Sequence, residues 1–180
     1  MKTEIATLAN GCFWCSEAIF SRLKGVKSVL PGYSGGKDEN PSYDDVCTGR
    51  TGHAEAAQIE FDPTVISFEK LLDVFWHTHD PTTLNRQGND VGTQYRSAIF
   101  YHNDEQRRIA ENSKRELDDK GTYKGSIVTE IVPFKKFYIA EDYKKYYEQH
   151  QDAPYCRFVI DPKIHKLLNQ YGKDLKETIS

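Results

Sequence analysis

The stretch Ile5-Ala6-Thr7-Leu8-Ala9-Asn10-Gly11-Cys12-Phe13-Trp14-Cys15 joins a segment that alternates as a strand does to a helical one, Ser16 to Leu23. Cys12 then stands where the strand ends and the helix begins. Unpaired backbone N–H groups and the positive end of the helix dipole favour a thiolate there. Cys15 lies one turn on, on the same face, within the Cα separation that a disulfide tolerates. The pattern suits a reactive cysteine with a second thiol behind it.

Outward from this junction, Gly25 reads as the residue closing the first helix, and Val26 to Tyr33 as an extended segment running into Gly32-Tyr33-Ser34-Gly35-Gly36. Ala54 to Asp62 resumes as a strand. The clearest helix is Ser67 to His77: Ser67 is a good N-cap, and Phe68, Leu71, Leu72, Phe75 and Trp76 form one apolar stripe. Thr78 to Arg96 is a polar loop of a length that compact proteins usually keep for function. Beyond it the pattern predicts a strand over Ser97–His102, a charged helix over Asn103–Lys120 closed by Gly121, and an alternating strand over Ser126–Val132. A tyrosine-rich helix over Glu141–Gln149, a short strand over Phe158–Ile160 and a polar helix over Lys163–Tyr171 complete the chain. This order predicts an α+β fold: helices on one mixed or antiparallel sheet with a ferredoxin-like core.

A chain of 180 residues suffices for one sizeable core and is short for two, so a single domain over residues 1–180 is expected. The net charge of −3, with both signs interspersed, gives no electrostatic footprint for nucleic acid or an anionic membrane. No apolar run reaches the length of a membrane span. Met1-Lys2-Thr3-Glu4 leads straight into the first strand without a signal peptide, and four cysteines in such a chain point to thiol chemistry in a reducing cytoplasm.

A C-x-x-C pair admits several readings. A zinc-stabilised binding domain would need a second tight pair of ligands, whereas Cys47 and Cys156 stand alone and His77-Thr78-His79 has no cysteine beside it. A thioredoxin-like disulfide oxidoreductase would have small residues or proline between its cysteines, where this chain has Phe13 and Trp14. Inert core cysteines form a third reading. A nucleophile with its own resolving thiol, set against an apolar pocket, uses all four residues: attack on an oxidised sulfur or a peroxide leaves a sulfenic acid, which the second thiol condenses to a disulfide. The loops offer proton and hydrogen-bond donors for such chemistry in Tyr43, Glu55, Asp90 and Tyr95. His53, His77, His79 and Asp80 read as hydrogen-bonding or helix-end residues rather than a base or metal ligands.

Gly11-Cys12-Phe13-Trp14, Gly32-Tyr33-Ser34-Gly35-Gly36, Asn40-Pro41-Ser42-Tyr43, Thr51-Gly52-His53-Ala54-Glu55 and Arg86-Gln87-Gly88-Asn89-Asp90 through Tyr95-Arg96-Ser97 stand in one order along the chain. In that order and spacing the chain closely resembles the A-type peptide methionine sulfoxide reductases over about residues 4 to 160. The resemblance implies an α+β two-layer sandwich that reduces the S epimer of methionine sulfoxide, free or in peptides and proteins. By it Cys12 is the nucleophile, Glu55 the acid that protonates the sulfoxide oxygen, and Tyr43 and Tyr95 the phenols that hydrogen-bond that oxygen. Asp90 belongs to the polar network, while Phe13 and Trp14 form the wall for the methyl group.

Two features depart from the common pattern of that family. Cys15 stands where glycine is usual, and the chain lacks a Gly-rich tail with recycling cysteines, ending in Lys176-Glu177-Thr178-Ile179-Ser180. Cys15 is therefore the expected resolving thiol, Cys156 a possible second recycler, and Cys47 structural. The resemblance implies no metal and no bound cofactor, an external reductant (thioredoxin-like or dithiothreitol), and a cytoplasmic monomer. A thiol peroxidase or general disulfide oxidoreductase is the alternative enzyme for the same pair.

Overall fold

The computed structural model describes residues 2–177. Its strands and helices run β1 (Glu4–Asn10), α1 (Phe13–Phe20), β2 (Val26–Ser34), α2 (Tyr43–Cys47), β3 (Ala54–Phe61), α3 (Phe68–His77), β4 (Arg86–Gln87), β5 (Asp90–Val91), β6 (Ser97–Tyr101), α4 (Asp104–Asp119), β7 (Glu130–Pro133), β8 (Phe137–Ile139), α5 (Tyr146–Gln149) and α6 (Asp161–Tyr171). The main sheet has the order β7-β6-β1-β3-β2-β8, antiparallel throughout except for the β6–β7 pair. Its inner strands β6-β1-β3-β2 form two interlocked β-α-β units, which is the expected ferredoxin-like core.

Alternation along the strands decides what each face carries. Ala6 and Leu8 of β1, Ala57, Ile59 and Phe61 of β3 and Ile99 of β6 face the helices, where they meet Ile19 and Phe20 of α1, the α3 stripe, Ile109 of α4 and Leu167 of α6. The other face carries small residues, Ala9, Ala54, Ala56 and Ala98, with Phe100, covered by Phe134 and Phe137. Phe134 lies in the connection from β7 to β8 and Phe137 opens β8, and these two strands are opposite edges of the sheet. Six flat strands would hold their edges about 24 Å apart, and the step from Pro133 to Phe137 spans at most about 14 Å. The sheet must therefore curl, and the alanines make room for the connection on its inner face.

Several predicted boundaries move. Helix α1 starts at Phe13 and ends at Phe20, so Gly25 (φ +87°) does not close it; it turns the chain into β2, its carbonyl accepting the Asp62 N–H at 2.8 Å. Of the expected strand over Ser126–Val132 only Glu130–Val132 pairs with the sheet, as part of β7, which runs on to Pro133. Before it, Ile127 and Thr129 are buried, the Val128 N–H goes to the Pro81 carbonyl at 2.9 Å, and Thr129 shares a hydroxyl contact with Ser97 at 2.7 Å. The predicted strand over Phe158–Ile160 is a π-helical turn, Cys156–Ile160, that runs into α6. Cys156 and Ile160 face inward from it and Phe158 is left 80% exposed. The tyrosine-rich helix is interrupted: a 3-10 turn Glu141–Tyr143, then Lys145 in a left-handed conformation (φ +56°), then α5. Strand β8 went unforeseen.

Candidate active site

The sheet order gathers the site at one end. Strand β1 exits there through Asn10, and its antiparallel neighbours β3 and β6 begin there, Asn10 lying opposite Ser97. The first residues after β1 (Cys12 to Cys15), the second residue of β3 (Glu55) and the turn before β6 (Tyr95) thus converge although they are far apart in sequence. Gly11 makes the exit possible: its φ is +99°, and a Cβ there would lie 2.7 Å from Cγ of Gln87. The Gln87 side chain in turn bonds both ways to the Asp80 backbone, accepting its N–H at 3.0 Å and donating to its carbonyl at 2.9 Å. That pair of hydrogen bonds to the segment just after α3 holds the β4–β5 hairpin, and with it Asp90, near the start of α1.

Cys12 is the N-cap of α1, and its carbonyl accepts the Cys15 N–H at 3.1 Å. Both thiols are buried. Burial pushes the Cys12 thiol well above its ordinary value, and Cys15 and Glu55 push the same way. The hydrogen bond from Cys12 draws Cys15 down to about 7 against its own burial, with Lys163 and Tyr155 assisting. The thiolate expected at Cys12 from the helix start is thus not favoured. A helix of eight residues offers a modest dipole, and removal from water outweighs it. Of the two thiols, Cys15 is the one its surroundings push toward ionisation.

Glu55 is 1% exposed, and its Oε1 accepts the N–H of Phe13, the residue after Cys12, at 3.2 Å. Burial raises its carboxyl to about 8, with Asp90 and Cys15 adding to the effect, so it is protonated at neutral pH. Tyr43, the first residue of α2, and Tyr95 are both held as neutral phenols by burial and by Glu55 nearby. Asp90 accepts a 2.6 Å bond from the hydroxyl of Tyr155. All six polar candidates therefore belong to one cluster.

The aromatic pair is covered. Phe13 is fully buried beneath Tyr33, Tyr43 and Tyr143 (ring centroids 5.6, 6.5 and 5.9 Å). Trp14 stacks face to face on Tyr146 at 3.8 Å and meets the edge of Tyr155 at 5.5 Å. Tyr143, Tyr146 and Tyr155 are site residues that the sequence reading missed. The density of tyrosine between positions 143 and 155 is the available signal; Tyr143 and Tyr146 fall within the expected helix over Glu141–Gln149, and Tyr155 lies beyond it beside Cys156.

Elsewhere the structure separates what sequence left open. Cys156 packs in one cluster with Cys12 and Cys15, whereas Cys47 is exposed at the end of α2 and supports no core. His53 is buried between the Gly36 N–H and the Asp38 carbonyl (3.0 and 2.7 Å). His79 bridges the Phe75 carbonyl and Ser97 Oγ; burial pushes it down to about 3, so it stays neutral. Among the described residues no three His, Cys, Asp or Glu side chains are grouped as metal ligands would be.

Two thiols in contact beside a protonated carboxyl can strip an oxygen atom from an acceptor and discharge it as water, the chemistry of a thiol-dependent oxidoreductase. The family model described as peptide methionine sulfoxide reductase matches residues 4–176. A peptide methionine sulfoxide reductase MsrA of Saccharolobus solfataricus is 56% identical over 174 residues, 96% of this chain and 97% of that protein. Mxr1 from Saccharomyces cerevisiae in reduced form superposes with a TM-score of 0.78 at 36% identity, covering 86% of this chain and 90% of that one. Mxr1 in complex with Trx2 matches with a TM-score of 0.56 at 30% identity, over 81% and 85% of the two chains. The chain belongs to the peptide methionine sulfoxide reductase family, and its activity is thiol-dependent reduction of methionine sulfoxide.

Proposed function

We propose that residues 1–180 act as one catalytic unit that reduces the S epimer of methionine sulfoxide, free or in proteins, through Cys12. The observation that carries this reading is the neutral, buried Glu55 carboxyl bonded to the N–H that follows Cys12. Glu55 gives its proton to the sulfoxide oxygen while Tyr43 and Tyr95 hydrogen-bond the charge that develops on it. Cys12 attacks the sulfoxide sulfur, and Cys15, held at about 7 and in hydrogen-bond contact, takes the Cys12 proton. The protonated oxygen passes from the substrate sulfur to Cys12 sulfur, so that the substrate sulfur–oxygen bond and the bond between Cys12 and the substrate sulfur both break; the thioether departs and Cys12 is left as a sulfenic acid. Cys15 sulfur then displaces water from Cys12, forming the Cys12–Cys15 disulfide. One sulfoxide and two thiols thus become one thioether, one disulfide and one water.

Phe13 and Trp14 supply the apolar wall for the methyl group on sulfur, and Asp90 orders the polar side through Tyr155. With electrons from an external thiol the cycle needs no resident metal or cofactor, and a thioredoxin-like protein is the fitting reductant; the complex of Mxr1 with Trx2 supports that choice. We take the chain to work as a cytoplasmic monomer, a setting in which its four free cysteines stay reduced.

The test incubates the protein with each epimer of a methionine sulfoxide peptide and dithiothreitol. Only the S epimer is consumed, and Cys12→Ser is inactive. Consumption of the R epimer, or activity in Cys12→Ser, refutes the assignment.

A further inference from the structure

Residues 141–149 form a strap across the aromatic wall, and one side chain of α1 reaches it. We propose that Glu17 is a positioning residue, a latch that holds this strap on Phe13 and Trp14 and so sets how tightly substrate binds. The inference rests on the proposed role of those two aromatics.

Glu17 lies one helical turn beyond Phe13, on the same side of α1. Its Oε1 accepts the backbone N–H of Lys145. Lys145 is a non-glycine residue held at φ +56°, a conformation that persists only where its surroundings impose it. It divides the strap into two arms. The arm before it carries Tyr143, whose ring lies 4.6 Å from Tyr43 and 5.9 Å from Phe13. The arm after it carries Tyr146, stacked on Trp14 at 3.8 Å with the planes 9° apart. A single backbone bond at the hinge therefore orients both rings. The two ends of the strap have their own ties: the Ala140 N–H to the Pro31 carbonyl at 2.9 Å, and the Tyr147 hydroxyl to Asp161 of α6 at 2.6 Å, with Arg22 of α1 over the Tyr147 ring. The middle depends on Glu17.

The latch is also sensitive to charge. Burial under the strap raises the Glu17 carboxyl to about 7; Glu148 of α5 adds to this, and the Lys145 N–H with the charges of Lys145 and Lys144 opposes it. Its Oε2 has no hydrogen-bond partner among the described residues. A neutral carboxyl still accepts the Lys145 N–H, whereas a charged one loses hydration when the strap closes. Closure is therefore firm below the ordinary carboxyl value of 4.5 and weakens as pH rises to about 7.

Glu17→Gln and Glu17→Met separate the roles, since both are neutral and similar in size and only the first keeps an acceptor. Acrylamide quenching of tryptophan fluorescence reads the strap, because Trp76 is 2% exposed in the core and a change reports on Trp14. We expect Glu17→Met to raise quenching about twofold and KM for a methionine sulfoxide peptide roughly tenfold, with kcat within about twofold of wild type. Glu17→Gln keeps the quenching that wild type shows at about pH 5 and, unlike wild type, holds it at about pH 8. Glu17→Ala removes the acceptor without adding a new side chain and reproduces the Glu17→Met changes should that variant fail to fold. Equal behaviour of the Gln and Met variants, or loss of thermal stability alone, overturns the latch. Raised quenching with unchanged KM shows that Glu17 holds the strap but overturns its effect on substrate binding, and with it the role of the aromatic wall.

Discussion

Replacing Glu55 by Gln should make the protein more stable and nearly inactive. The amide keeps an oxygen for the Phe13 N–H and removes only the ability to ionise or to give a proton. Glu55 is 1% exposed, and burial moves its carboxyl from 4.5 to about 8. For an acid raised in this way, the folded state has its full stability below the unfolded value near 4.5 and loses it as pH climbs to about 8. At about 1.36 kcal/mol for each pH unit, wild type should lose on the order of 4 kcal/mol between about pH 5 and about pH 8.5 through this group, a large share of an ordinary folding free energy. Glu55→Gln carries no such loss. Urea denaturation of both reduced proteins at the two pH values isolates this contribution, because any effect of the amide that does not depend on pH cancels in the difference. Activity should fall by about 10²–10⁴, the usual worth of a positioned acid, in single-turnover reduction of a methionine sulfoxide peptide. A gap between the two proteins that does not widen with pH would falsify the neutral carboxyl. Full activity in Glu55→Gln would remove the proton donor from the mechanism.

In Cys15→Ser, about one equivalent of substrate should be reduced without added reductant, leaving a sulfenic acid on Cys12 that dimedone traps and mass spectrometry locates; prompt formation of a Cys12–Cys156 disulfide would move the resolving role to Cys156, which packs in the same cluster. Tyr155→Phe removes the 2.6 Å bond to Asp90 and leaves that acid, which raises Cys15, without its phenol partner, so Cys15 alkylation by iodoacetamide should shift to higher pH; an unmoved profile counts against that coupling. Gly11→Ala meets Gln87 at 2.7 Å in a backbone region hostile to side chains and should cost roughly 1–3 kcal/mol of folding free energy by urea titration. Shortening Gln87 as well should recover only part of that cost, because the φ of +99° remains.

The parts of the fold legible in sequence are those whose cause is local. β1, β3 and β6 alternate because one face meets helices and the other meets the β7–β8 connection, and α3 shows its stripe because that stripe is its buried face. Ser67 and Asn103 cap α3 and α4 as expected, each side chain accepting an N–H three residues on. The segment over Ser126–Val132 alternates for another reason: its first half is buried against loops and hydroxyls, and alternation alone does not say what a residue is buried against. Phe158-Val159-Ile160 has strand composition, yet Cys156 and Ile160 are spaced for one side of a helical turn, and their burial beside α1 decides the outcome.

At the site the same division separates the chemistry from its cover. Cys12, Cys15 and Glu55 lie near element ends that the sheet order brings together; residue type and spacing mark the cysteine pair, while the family resemblance singles out Glu55 from the other polar loop residues. Tyr155 acquires its partner, Asp90, across 65 residues, and Tyr143 and Tyr146 reach Phe13 and Trp14 only because a left-handed lysine bends the chain between them. Nothing local requires that bend; the acceptor that satisfies it sits on α1, at Glu17. Composition therefore shows that tyrosines are plentiful near the C-terminal end, while their function is set by a backbone conformation held from another element. The reactive pair is covered by the same route: its polar chemistry comes from strand ends, and its exclusion from water comes from a segment whose shape depends on α1.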